Sequence, residues 1–207
     1  IVKSQHMKIN VLNIKKFQNK EILSPFFIVK RVLSWYNQKG WNESDHMEEK
    51  IELILQYLQN KEQTLATMES CTGGALANAI TNIEGSSYVF HFGAVTYSNE
   101  YKIEMGVDAD TIEKYTVYSI ETARSMASAI AKKADANYGI GITGRFGVED
   151  PSNLGGNQNI VYISIYDKGQ DAYIDQTISL GHFEREQCKR TVVQLTIQKL
   201  FDHLFQK

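Results

Sequence analysis

From residue 46 onward the chain switches repeatedly between two hydrophobic periods, and this alternation limits its fold more than any other feature. Ile51, Ile54, Leu55 and Leu58 recur at helical spacing, and Leu65 to Met68 is an apolar run of strand length. Residues 73 to 82 read as helix and Phe92 to Tyr97 as strand. Thr122 to Lys133 reads as a helix with Ala123, Met126, Ala127 and Ile130 on one face. Tyr138 to Ile142 reads as a buried strand. Ile160 to Tyr166 and Tyr173 to Ser179 read as two strands around the turn Asp167-Lys168-Gly169, and a last helix runs from about Glu184 to Phe205. Strands alternating with helices, followed by a late hairpin, predict an α/β fold: a three-layer-like domain with a mixed β-sheet flanked by helices.

At 207 residues the chain is long enough for one such domain with material to spare, and too short for a large modular enzyme. Its 43% apolar content supports a real core. Cys71 and Cys188 are too few for a disulfide framework or a four-ligand zinc site, and the histidines His46, His182 and His203 form no ligand spacing, so no metal is expected. No apolar run is long enough for a membrane span, and no cleavable leader pattern opens the chain. The expected setting is reducing and cytoplasmic.

The spare material is N-terminal and differently charged. Residues 1–45 carry eight Lys or Arg against three Asp or Glu, leaving the remainder at −7. Ser24-Pro25 followed by Phe26, Val29, Leu33 and Tyr36 predicts one amphipathic helix in this basic extension. His6-Met7 reads as a cloning scar, making residues 1–6 a tag remnant. The extension is expected to pack on the main domain, residues 46–207, or on a neighbouring copy, with no nucleic acid and no membrane as partners. The long final helix, with Leu195, Leu200, Leu204 and Phe205, suits a homodimer as well as its own sheet.

Three clusters carry candidate chemistry. Glu69-Ser70-Cys71-Thr72-Gly73-Gly74 places a hydroxyl and a thiol between a strand and a helix start, where Thr72 can cap the helix and free N–H groups favour a phosphate or an oxyanion. Spacing alone leaves open an ordinary turn whose Ser and Thr only satisfy the backbone. Tyr97 and Lys102, five apart at the close of a strand, supply a phenol and an amine; the amine is a general base only if its pKa falls from about 10.4 towards 7–8. Gly139-Ile-Gly-Ile-Thr-Gly144 formally matches GxGxxG, but its glycines lie within the strand and a loop follows, which argues for close packing rather than a dinucleotide site. Thr143 and Gly144 then open a long loop beside a pocket, in which Arg145 can bind phosphate or stand as an ordinary exposed loop arginine. Cysteine catalysis by Cys71 would need His91, the one histidine within the core segments.

In this order the clusters resemble the C-terminal domain of the CinA family, the nicotinamide mononucleotide amidases also called PncC. The resemblance runs over residues 48–206 and rests on Glu69 to Gly74, Gly85-Ser86-Ser87, Gly93 to Glu100 with Lys102, and Gly141 to Gly144. It implies hydrolysis of the carboxamide of nicotinamide mononucleotide to nicotinate mononucleotide and ammonia, in pyridine nucleotide salvage, without a cofactor. The family's serine, lysine and tyrosine correspond to Ser70, Lys102 and Tyr97. Lys102 would take the Ser70 proton, N–H groups of Thr72 to Gly74 would hold the oxyanion, and Tyr97 would relay protons or fix the lysine. Thr72, Gly73, Gly74, Thr143, Gly144 and Arg145 are the expected substrate-binding residues for this small nucleotide.

The chain departs from the family pattern in one loop. After Gly144 it reads Arg145-Phe-Gly-Val-Glu-Asp-Pro151 and ends Gly155-Gly-Asn-Gln-Asn159, with Val148 in place of the family's proline. This keeps two alternatives open: an amidase for a different nucleotide amide, and a non-catalytic nucleotide-binding or partner-binding module of the same fold.

Overall fold

Ile51, Ile54, Leu55 and Leu58 form the buried stripe of α1 (Met47–Asn60), whose first turn carries Glu48 and Glu49 at the positive end of the helix dipole. A computed structural model describes residues 47–206 apart from 149, 150, 152, 154 and 182. The tag remnant and the amphipathic helix expected within residues 1–45 lie outside the described residues.

The described chain continues through β1 (Leu65–Glu69), α2 (Ala75–Thr81), a 3₁₀ turn (Ser86–Tyr88), β2 (Phe90–Val95), α3 (Asn99–Glu104), α4 (Ala109–Tyr115) and α5 (Ile120–Lys133). It ends with β3 (Tyr138–Gly144), β4 (Ile160–Asp167), β5 (Ala172–Ser179) and α6 (Arg185–Phe205). The sheet order is β2-β1-β3-β4-β5. β1 runs parallel to β2 and β3, whereas β3–β4 and β4–β5 are antiparallel, so the sheet is mixed as expected.

The helices cover both faces of the sheet. Gly139 and Gly141 point at α5, where an added Cβ would lie 2.1 Å from the Ala127 carbonyl oxygen and 2.2 Å from that of Ala123. Side chains of any size there would lift the helix. The glycines therefore serve close helix–sheet packing, as their place inside the strand suggested. Met68 and Ala94 join Met126 and Ile130 in the core on the α5 side. On the other side Ile140 and Ile142 are fully buried, each worth roughly 1.5–3 kcal/mol relative to exposure. α6 packs on α1, α2, β4 and β5 of its own domain, burying Val192, Val193, Ile197, Leu200 and Leu204.

Three expectations need correction, and one helix was not foreseen. α2 begins at Ala75 rather than residue 73, because Gly73 (φ +63°) and Gly74 (φ +92°) are left-handed and hold a turn open. β2 ends at Val95, so Tyr97 and Lys102 do not close a strand; Lys102 sits on α3, whose N-cap Ser98 accepts a hydrogen bond from the Tyr101 N–H. α4, capped by Asp108, is a second short helix that the periodicity does not predict. The hairpin turn is residues 168–171, later than expected, with Asp167 accepting from the N–H groups of Gly169 and Gln170.

Candidate active site

β1, β2 and β3 are neighbouring parallel strands, and β1 lies between the other two, so their connections leave in opposite directions. A crevice forms outside the carboxyl ends at such a point. Ser70 follows β1, Thr96 follows β2, and Thr143 and Gly144 end β3. A cavity of about 250 Å³ opens there, lined in part by Ser70, Cys71, Tyr97, Lys102, Thr143 and Arg185.

Lys102 folds back from α3 towards the end of β2. Its Nζ donates to the Thr96 carbonyl oxygen at 2.7 Å and to Ser70 Oγ at 3.2 Å. It is only 2% exposed. Its amine is thus withheld from bulk water, beside an uncharged carbonyl and a hydroxyl. The Ser70 N–H donates to the Ile142 carbonyl and the Thr96 N–H to the Glu69 carbonyl, which ties the three strand ends together.

The helix-start donors are arranged differently from expectation. Glu69, buried on β1, accepts hydrogen bonds from the N–H groups of Gly74 (3.1 Å), Leu76 (3.1 Å) and Ala77 (2.8 Å). The Gly73 N–H donates to the Ser70 carbonyl. Glu69 thus does the capping expected of Thr72, whose buried Oγ1 has no hydrogen-bond partner among the described residues. Nor are the N–H groups of Gly73 and Gly74 free for an oxyanion. Those of Cys71 and Thr72 donate to no other residue among those described.

The remaining expected residues divide into two groups. Thr143, Gly144 and Arg145 lie on the cavity wall; Thr72, Gly73 and Gly74 are not among its lining residues. Thr143 Oγ1 donates to the Val117 carbonyl at 2.7 Å, and Arg145 donates to the Gly155 carbonyl at 3.0 Å with its guanidinium over the Tyr118 ring. Tyr97 is 63% exposed, and its phenol oxygen accepts from Arg185 at 3.0 Å. Arg185 also donates to the Phe146 carbonyl at 3.0 Å. Sequence reasoning missed Arg185, which stands 88 positions from Tyr97 and reaches it only through the fold.

Cys71 borders the cavity, but burial pushes its thiol up to about 12. It therefore holds almost no thiolate at neutral pH. His91 is exposed on β2, and no hydrogen bond joins it to Cys71 among the described residues. Among the described residues no cluster of three or more His, Cys, Asp or Glu side chains could hold a metal ion. No described helix is long and apolar enough to cross a membrane.

Comparison with known proteins places these residues in a wider set. The family model described as CinA C-terminal domain matches residues 47–204. A Clostridium botulinum (strain 657) protein named competence-damage inducible is 44% identical over 158 residues, covering 74% of this chain and 36% of that protein. A protein of the same name from Thermoanaerobacter sp. (strain X514) is 47% identical over 98 residues, covering 47% of this chain and 24% of its own length. The chain thus spans about a quarter to a third of these relatives. The crystal structure of a competence or damage-inducible protein from Enterobacter asburiae superposes with a TM-score of 0.70 at 26% identity, covering 76% of this chain and 98% of that one. That of a CinA superfamily protein from Escherichia coli gives 0.70 at 27% identity, covering 77% and 91%.

Proposed function

Because the chain belongs to the CinA C-terminal domain family, we propose that it hydrolyses the carboxamide of nicotinamide mononucleotide, releasing ammonia and nicotinate mononucleotide. The observation that carries this reading is the buried 3.2 Å contact between Lys102 Nζ and Ser70 Oγ. A serine hydroxyl is a weak nucleophile unless a base takes its proton. A neutral lysine amine at hydrogen-bond distance is such a base.

In the proposed reaction the Ser70 proton moves to Lys102 Nζ as Oγ bonds to the amide carbon. The carbonyl π electrons move onto oxygen, and the N–H group of Cys71, next after the nucleophile and on the cavity wall, is the donor assigned to that oxyanion, since those of Gly73 and Gly74 are occupied. Lys102 returns the proton to the amide nitrogen, the C–N bond breaks and ammonia leaves. Water then gives one proton to the same amine as its oxygen adds to the acyl carbon; the C–Oγ bond breaks, Oγ recovers that proton from Lys102, and the carboxylic acid so formed loses its remaining proton to solvent as the carboxylate.

Recognition of the 5′-phosphate is assigned to Arg185, with Arg145 on the same wall. Arg185 is held by two neutral acceptors, Tyr97 Oη and the Phe146 carbonyl, so an incoming phosphate would not have to displace a carboxylate. In this reading Tyr97 orients Arg185, rather than fixing the lysine. The test is ammonia release from nicotinamide mononucleotide by wild type, Ser70→Ala and Lys102→Ala. Release by the wild type and loss in both variants are expected; full rate in Ser70→Ala overturns the serine mechanism. Release only from other nucleotide amides would favour the altered 145–159 loop as the determinant of a different substrate.

A further inference from the structure

We propose that Glu69 is a positioning residue that holds the Ser70 hydroxyl against the Lys102 amine. This rests on the serine–lysine reading of the site but goes beyond it, because Glu69 does not line the cavity and its carboxylate bonds to backbone N–H groups rather than to Ser70 Oγ or Lys102 Nζ.

Glu69 contributes to the site through both its side chain and its backbone. Its carboxylate, 1% exposed, accepts three backbone N–H bonds: one from Gly74 and two from the first turn of α2. These bonds close the five-residue turn Ser70–Gly74 onto the strand end that precedes it. Its carbonyl oxygen accepts the Thr96 N–H at 2.8 Å, and the Thr96 carbonyl accepts from Lys102 Nζ at 2.7 Å. Nζ then reaches Ser70 Oγ at 3.2 Å, and Ser70 is bonded covalently to Glu69. The result is a closed ring of contacts, running Glu69, Thr96, Lys102, Ser70 and back to Glu69. The backbone side of the ring fixes the lysine, and the carboxylate fixes the turn that carries the serine.

Side-chain chemistry explains why a carboxylate suits this position. Both oxygens are used as acceptors, one taking two N–H groups and the other taking one. A glutamine offers one acceptor oxygen and one NH₂ donor, so in either orientation at least one of the three N–H groups would face another donor. An aspartate keeps both oxygens but withdraws them by one methylene. Each change releases the turn while leaving Ser70, Lys102 and the cavity walls chemically intact. Because positioning acts on approach to the transition state, the loss should fall on kcat rather than on KM.

The experiment compares wild type with Glu69→Gln, Glu69→Asp and, as a control for α2 stability alone, Ile80→Val, which trims a buried side chain of the same helix. Each is assayed for kcat and KM on nicotinamide mononucleotide, for thermal unfolding, and for the rate at which phenylmethylsulfonyl fluoride adds to Ser70, read by intact mass. The expected result is a kcat loss of about 100-fold in both Glu69 variants with KM within about 3-fold, a parallel slowing of Ser70 labelling, and an Ile80→Val protein close to wild type in both. Should Glu69→Gln fail to fold, Glu69→Asp carries the same test. Unchanged kcat and labelling in a folded Glu69 variant, or equal losses in Ile80→Val, overturn the proposal. Labelling separates this outcome from failure of the amidase reading. A wild type that labels at Ser70 but releases no ammonia refutes the substrate, and the Glu69 effect is then read from labelling alone. A wild type that does not label at all overturns the positioned serine.

Discussion

Lys102 and Ser70 are 32 residues apart in the chain, yet Nζ and Oγ meet at 3.2 Å in a buried site. Neither residue reaches the other by local geometry. Ser70 is delivered by the end of β1 and Lys102 by the first turns of α3, and the parallel pairing of β1 with β2 sets their separation.

Replacing Lys102 with Met keeps most of the side-chain volume and removes a buried amine. Ammonia release should be lost, while the thermal midpoint stays the same or rises, because a buried polar group costs stability unless its bonds compensate. A folded Lys102→Met protein that keeps its rate would refute the lysine base. Lys102→Arg should also be inactive, since a guanidinium does not give up its proton in this pH range.

Cys71 is expected to be a packing residue. Its thiol is held at about 12 by burial, so iodoacetamide at pH 7 should leave activity intact. Cys71→Ala should stay within a few-fold of wild-type kcat. Rapid inactivation that maps to Cys71 by mass would contradict this.

Arg185→Ala should raise KM for nicotinamide mononucleotide by about 10- to 100-fold, the range of a charge-assisted contact. The nucleoside lacking the phosphate should lose much less. Steady-state kinetics on the two substrates gives the comparison, and equal losses on both would show that Arg185 does not read the phosphate.

Away from the site, Asp167 is held by His203 Nε2 at 2.8 Å and by Gln170. Burial works against its ionisation, but the bonds from His203 and from the Gln170 backbone and side chain outweigh burial and keep its carboxyl below the usual value. A folded-state pKa below the unfolded one adds stability above the unfolded value of about 3.9, and that contribution disappears as pH falls through the folded value. Urea unfolding from pH 7 to pH 3 should therefore show an acid loss in wild type that is smaller in Asp167→Asn. Identical pH dependence in the two proteins would exclude Asp167 as a source.

Gly141→Ala should be among the most damaging single-methyl additions in the domain. The new Cβ would sit 2.2 Å from the Ala123 carbonyl oxygen and 2.6 Å from the Ala127 nitrogen, both backbone atoms of α5. Overpacking of this kind costs about 1–3 kcal/mol or more, read as a lowered thermal midpoint. A wild-type midpoint would mean that α5 can move away at little cost.

Much of the fold was legible because hydrophobic period reports local structure. The stripe Ala123, Met126, Ala127, Ile130 and the run Tyr138 to Ile142 announce a helix and a strand without reference to anything distant. The short helices α3 and α4 were not legible in the same way. Six and seven residues are too few for a periodic stripe, and their caps, Ser98 and Asp108, also suit ordinary turns.

The α/β plan with its mixed sheet was legible from the alternation of hydrophobic periods, whereas Ser70, Tyr97 and Lys102 were singled out by the family resemblance and not by their spacing. What only the tertiary structure decided was the wiring: Glu69 rather than Thr72 caps α2, Arg185 rather than Lys102 holds Tyr97, and Thr96 lends its carbonyl to the lysine. The reason is physical. Periodicity and turn chemistry are properties of a few consecutive residues, whereas a hydrogen bond to a particular partner depends on where strand pairing and helix packing bring distant backbones together.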